Sequence, residues 1–176
     1  MSRPHFWKVA VRMAEQNFFG VGLRGYDNAY DKYDFLDGRY GRGRSVHSSH
    51  YMVLAELGYP GAFVWGGLLF GSFAIGWRTR ARAWSPDLPE EARNFVFTCS
   101  NALMVSMAGF MVGGSFLALA LNDLTWLTFA LLAALDRWSR AACEAKRLER
   151  FRATAGAVQP AFAGAAFSRP IGESTA

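Results

Sequence analysis

The sequence predicts an all-α, polytopic membrane protein: an extracytoplasmic helical loop followed by about three transmembrane helices. Three observations lead there. Pro60 to Trp77 is a run of eighteen residues without a charge, close to the ~20 apolar residues that a bilayer-spanning helix needs. A second apolar run extends from Phe95 to Leu121. The connecting segments also alternate in charge, with four Lys/Arg in residues 78–94, none in 113–123 and seven after 136. That asymmetry sorts cytoplasmic from outer loops.

The composition agrees. Of 176 residues, 52% are hydrophobic, and they gather after residue 59 rather than spreading as the core of one soluble domain would. The net charge of +5 and a pI near 9.6 match the Lys/Arg excess that anchors membrane loops. The arginines form no single patch with interleaved aromatics, so nucleic acid is not a predicted partner. Cys99 and Cys143, 44 residues apart, fit neither a disulfide framework nor a zinc spacing. No metal or cofactor is predicted. The opening residues lack the apolar core of a signal peptide.

Taken in order, residues 3–19 predict an amphipathic helix: Phe6, Val9, Ala10, Met13 and Ala14 recur at spacings of three and four, opposite Lys8, Arg12 and Glu15. Gly20-Val21-Gly22-Leu23-Arg24-Gly25 is formally a GxGxxG. A dinucleotide site needs a strand before it and a helix opening at it. Neither is predicted here, so the glycines read as a tight turn. Residues 26–44, rich in Asp, Tyr, Gly and Arg, predict an extended loop with or without a short helix. Arg39, Arg42 and Arg44 read either as a solvated charge run or, for Arg42 or Arg44, as anion binders.

Two of the three histidines follow, His47 and His50, on a predicted short helix over 46–57 capped by Ser45 or Ser48. At ~100° per residue, His47, His50, Tyr51 and Leu54 would share one face, with Glu56 about 180° from His47. Near the helix C-terminus the dipole disfavours a carboxylate, so Glu56 needs a basic side chain or backbone amides nearby. No third ligand accompanies the two histidines at a zinc-like spacing. Pro60–Trp77 then forms the first span, its glycines suited to close helix–helix approach. A second helix ends near Val112, a tight or re-entrant turn occupies 116–121, and a third helix runs from Asp123 or Leu124 to Leu135. The tail is basic and helical after Trp138, and Ala/Gly/Pro/Ser-rich and disordered over 153–176. This divides the chain into an extracytoplasmic loop (1–58), a transmembrane region (59–138) and a basic cytoplasmic tail (139–176). With nothing ahead of residues 1–58 to translocate them, further upstream helices are expected.

A bilayer enzyme working on the outer face draws on an activated lipid carrier rather than ATP. Glycosyl transfer from a polyprenyl diphosphate requires cations against the departing diphosphate and a base at the acceptor hydroxyl. Arginine suits the first task and histidine, with an ordinary pKa of ~6.5, the second. Arg3-x-x-x-Trp7, then Gly20-Val21-Gly22, then His47-Ser48 followed by Leu54-Ala55-Glu56-x-Gly58-x-x-Gly61, resembles the C-terminal signature of the O-antigen ligase superfamily. His47-Ser48 and Val112–Ala120 with Asp123-Leu124 look closest to the O-glycosylation ligases associated with the exosortase A system. The resemblance covers roughly residues 3–137.

It implies a metal-independent, inverting transfer from undecaprenyl diphosphate to a glycolipid or protein acceptor, at the inner membrane with the loop facing the periplasm. Carried over by position, His47 matches the essential histidine, and Arg3 the arginine expected near the diphosphate. Glu56 matches the motif acid, structural or orienting, as do Gly20, Gly22 and Gly58. His50 stands where the family usually has an aromatic. Family members carry further N-terminal helices and another diphosphate-binding arginine that this chain does not contain. Two alternatives stand beside the ligase reading: a sugar-repeat polymerase of the same superfamily, and a non-catalytic membrane remnant or partner protein.

Overall fold

Five helices make up the described part of the chain: α1 (Arg3–Gln16), α2 (Tyr26–Tyr33), α3 (Ser49–Arg82), α4 (Glu90–Gly114) and α5 (Asp123–Ala163). The computed structural model describes residues 3–118, 120 and 122–163, and contains no strand among them.

α1 buries the stripe its periodicity predicts, Phe6, Val9, Ala10, Met13 and Ala14, and adds His5 to it. α2 corrects the picture of a solvated loop. Tyr26, Tyr30 and Tyr33 recur at four and three residues and are all buried. They pack with Phe6, Val9, Met13, Val46 and Ala55 into one aromatic core. Their hydroxyls explain how so polar a segment folds inward. Tyr26 donates to the Phe6 carbonyl at 2.9 Å, and Tyr33 accepts from Asn17 Nδ2 at 2.8 Å. Burial, then the neighbouring Tyr30, Asp27 and Asp34, push the Tyr26 phenol well above its ordinary range, so it remains a neutral donor.

The predicted short helix and first span are one kinked helix, α3. It begins at Ser49, not 46, and its break falls at Gly58 (φ 66°, ψ −162°) rather than at Pro60. A side chain is strained in that conformation. α4 ends two residues beyond the predicted Val112. α5 joins the third apolar segment to the basic tail without a break at 138–139, and continues through 153–163, where disorder was expected. Residues 164–176 lie outside the described residues, as do Leu119 and Leu121 of the expected turn.

α3 and α4 are long and apolar enough to cross a membrane. At 1.5 Å per residue, the 25 residues of α4 rise about 38 Å. Only 33% and 17% of their most apolar windows are buried by the rest of the chain. Among the glycines of these two helices, Gly76 makes the close approach expected of it, its Cα facing Met104. Gly66, Gly67, Gly71, Gly109 and Gly113 have nothing within 4 Å of where a Cβ would stand.

Candidate functional site

His47 does not belong to a helix. It sits just before α3 with φ 48°, so the face it was expected to share with His50, Tyr51 and Leu54 does not exist. Its position follows from its neighbours. Val46 is inserted in the aromatic core and Ser48 is fully buried. Between these two buried neighbours, His47 itself is exposed to solvent. Left-handed backbone at a non-glycine residue costs on the order of 1 kcal/mol or more and tends to persist where the surroundings over-determine it. Here the surroundings are two buried neighbours.

His50 has a different task. The Trp65 indole N–H donates to His50 Nδ1 at 3.0 Å, and Nε2 lies 3.1 Å from the Met111 carbonyl. A carbonyl only accepts and an indole N–H only donates, which assigns the proton to Nε2. Nδ1 is thus spent on a bond within α3 and Nε2 on joining α3 to α4.

Glu56 is 5% exposed and is held by amides, as its place near a helix break requires. Gly22 N–H bonds the Glu56 carbonyl and Val21 N–H the Ala55 carbonyl, each at 2.9 Å. The Tyr26 N–H points at Oε1 from 3.5 Å. The Phe18 carbonyl takes the Tyr59 N–H at 3.0 Å. Residues 18–22 therefore clasp the kink of α3. A Cβ on Gly20 would fall 2.3 Å from the Glu56 carbonyl oxygen, and one on Gly58 would fall 2.0 Å from that of Phe18. Gly22 has open space beside it and a positive φ of 94°.

Arg3 and Ser49 contact the same turn. The Arg3 guanidinium lies 5.6 Å from the Phe116 ring centroid, and Ser49, two residues after His47, donates through N–H and Oγ to the Leu117 carbonyl at 3.0 and 2.7 Å. Trp7 stacks on Tyr51 at 5.1 Å beside them. Arg44 is folded back, its Nε donating to the Tyr40 carbonyl at 2.6 Å, and Arg42 is exposed on the same turn. No hydrogen bond or ion pair links His47 to Arg3, Arg42, Arg44 or Glu56 among the described residues.

Between these parts lies a cleft of about 270 Å³ lined by Arg24, Tyr26, Asp27, Ser45, Val46, Met52, Glu56 and Ala118. Sequence reasoning missed Arg24 and Asp27 as site residues. Arg24 has left-handed backbone, φ 55°, and a lone cation inside a glycine turn was the available signal. It also missed the third histidine. His5 Nε2 lies 2.9 Å from Asp34 Oδ1 and 3.2 Å from the Tyr30 hydroxyl, in a buried pocket. Burial opposes ionisation of Asp34, but the Leu36 and Gly38 amides, and then His5, outweigh it and hold the carboxyl below its ordinary range. The sign that could have found it was His5 in register with Val9 and Met13.

No known family, curated protein or solved structure matches the chain.

Proposed function

We propose that the chain is the C-terminal part of a membrane glycan ligase, transferring a saccharide from undecaprenyl diphosphate to a glycolipid or protein acceptor at the periplasmic face of the inner membrane. The observation that carries it is His47: exposed between two buried neighbours, in left-handed backbone, at the end of the bundle that also bears Arg3 and a polar cleft. A base must reach an incoming hydroxyl, and this imidazole is free to do so. The signature of His47, Glu56, Gly58 and the Arg3–Trp7 helix supports the same reading.

In this scheme His47 takes the proton of the acceptor hydroxyl as its oxygen bonds the sugar's anomeric carbon. The carbon–oxygen bond to the diphosphate breaks and its electron pair leaves with the phosphate. Arg3, with Arg42 and Arg44, meets the charge of the departing group. Orientation follows from charge: Arg78, Arg80 and Arg82 at the far end of α3 stay in the cytoplasm, with α3, α4 and the first part of α5 crossing. The bilayer is the third partner, facing the uncovered apolar sides of α3 and α4.

The test is His47→Ala in the full-length protein, read as glycan attachment in cells. A lost general base costs about 10²–10⁴-fold, so attachment should fall at least about 100-fold while the protein accumulates normally. Undiminished attachment would remove His47 from the mechanism. A second reading, a non-catalytic partner protein, draws on the five uncovered glycines of α3 and α4, which suit close packing against other helices. It predicts that His47→Ala is silent.

A further inference from the structure

We infer that the cleft beside His47 binds one neutral pyranose ring, the acceptor sugar, rather than any part of the diphosphate. This deepens the ligase reading and rests on it. The cleft is placed for the role, because Ser45 and Val46, which line it, lead directly into His47. It is also sized for the role. At about 270 Å³ it falls just below the range of pockets that enclose drug-sized ligands, enough for a single ring and too little for a lipid-linked oligosaccharide.

Its chemistry selects among small ligands. The charged lining is Arg24, Asp27 and Glu56, with the Ser45 hydroxyl beside them. Two carboxylates against one guanidinium leave a negative surplus, and like charges repel a diphosphate. Hydroxyl groups suit the same wall well: each can donate to a carboxylate and accept from a guanidinium. Glu56 is built in rather than adventitious. It is 95% buried, by its 5% exposure, and among the described residues its carboxylate meets one donor, the Tyr26 amide at a long 3.5 Å. A buried carboxylate so lightly satisfied is costly unless a further donor arrives, and a sugar hydroxyl supplies one. Arg24, which also lines it, is kept in left-handed backbone (φ 55°), a strain of the kind that persists where a position is held by its surroundings. The charges therefore divide the labour. Arg3, Arg42 and Arg44 lie outside the cleft and serve the donor's diphosphate, and Arg24, Asp27 and Glu56 orient the acceptor.

The experiment uses the full chain in lipid nanodiscs and measures saturation transfer by NMR to the methyl glycosides of glucose, galactose and N-acetylglucosamine, with inorganic pyrophosphate as competitor. Saturation should reach at least one methyl glycoside, and equimolar pyrophosphate should not displace it. Because Glu56 is buried, the exposed pair carries the main comparison: Arg24→Ala and Asp27→Asn should each weaken binding at least fivefold with unchanged melting temperature. Failure of all three glycosides to bind, displacement by pyrophosphate, or binding indifferent to both variants would overturn the proposal. The two readings separate cleanly. A His47→Ala protein that still attaches glycan defeats the ligase mechanism without touching the cleft, whereas glycoside binding indifferent to Arg24 and Asp27 defeats the cleft and leaves His47 in place.

Discussion

The two ends of the helical bundle handle charge in opposite ways. At the Asp136 end every oxygen of the carboxylate has a donor. Thr79 Oγ1 and Arg82 Nη1 each reach Oδ1 at 3.0 Å, and Arg140 Nη2 reaches Oδ2 at 2.8 Å. Arg82 also donates to Ser139 Oγ at 2.6 Å. Farther along α5, Lys146 Nζ donates to the Leu88 carbonyl and Arg150 pairs with Asp87 at 2.9 Å, closing the 84–89 loop. Among the described residues, Ser48 Oγ and Trp7 Nε1 at the His47 end are buried without a partner, as is Arg93 Nε near the start of α4, and the positive-φ residues, Arg24, Asp37 and His47 with six glycines, all precede residue 59. The Asp136 carboxylate makes a saturated, fixed joint, whereas the backbone strain is confined to the His47 end.

The sharpest way to break this contrast is at the clasp between the two regions. Gly58→Ala puts a Cβ against the Phe18 carbonyl and a side chain at φ 66°, so a loss of about 4 kcal/mol or more is expected. Membrane-inserted protein should largely fail to accumulate, and normal accumulation would show that the clasp is slack. Next comes the fixed joint. Asp136→Ala leaves the half-buried Arg82 without its carboxylate, and removing one partner of a partly buried pair costs about 2 kcal/mol. Melting in detergent should fall while glycan attachment per folded molecule stays intact, because the joint lies at the far end from His47. A drop in specific activity as large as that of His47→Ala would erase the division between the ends.

The smallest effect concerns pH. Asp34 has a depressed carboxyl, so its contribution is present above its unfolded value near 3.8 and is lost as pH falls through the lower folded one. Acid should loosen α1 and α2 below about pH 4, and Asp34→Asn should weaken the same region by about 2 kcal/mol at neutral pH. Hydrogen exchange of residues 5–14 reads both. Protection in Asp34→Asn equal to the parent chain would show that the His5–Asp34 pair carries no stability.

Much of the helical fold was legible because apolar periodicity and charge-free runs are local signals. α1 and the two apolar helices follow from them directly. α2 was obscured because Tyr26, Tyr30 and Tyr33 look polar by composition but bury their rings and spend their hydroxyls internally. The start of α3 was misplaced for a similar reason. Nothing local shows that Val46 goes to the core, and that insertion is what keeps His47 outside the helix. The glycines of the clasp were noted as a turn, but their purpose depends on residues 55–59, more than thirty positions away. Arg24 carried one local signal, a cation inside a glycine turn, but Asp27 carried none, and only the folded clasp brings both to the cleft that Glu56 lines.

The clasp has one more consequence, in the currency of length. Beside the Gly58 break stand Phe18, Phe19 and Tyr59, exposed at 60%, 77% and 45%, with Phe18 5.1 Å from Phe19 and 5.9 Å from Tyr59 by ring centroids. Tyrosine and tryptophan favour the headgroup level, which singles out Tyr59 here. Along α3 the next exposed residue of those two types is Trp77, and the eighteen steps from Tyr59 rise about 27 Å. A hydrocarbon layer is ~30 Å thick. With α3 crossing a bilayer as proposed, Tyr59 and Trp77 would act as a ruler for its thickness, with one mark beside the backbone break. In a much thicker membrane, His47 would be drawn toward the lipid before any bond in its site had broken.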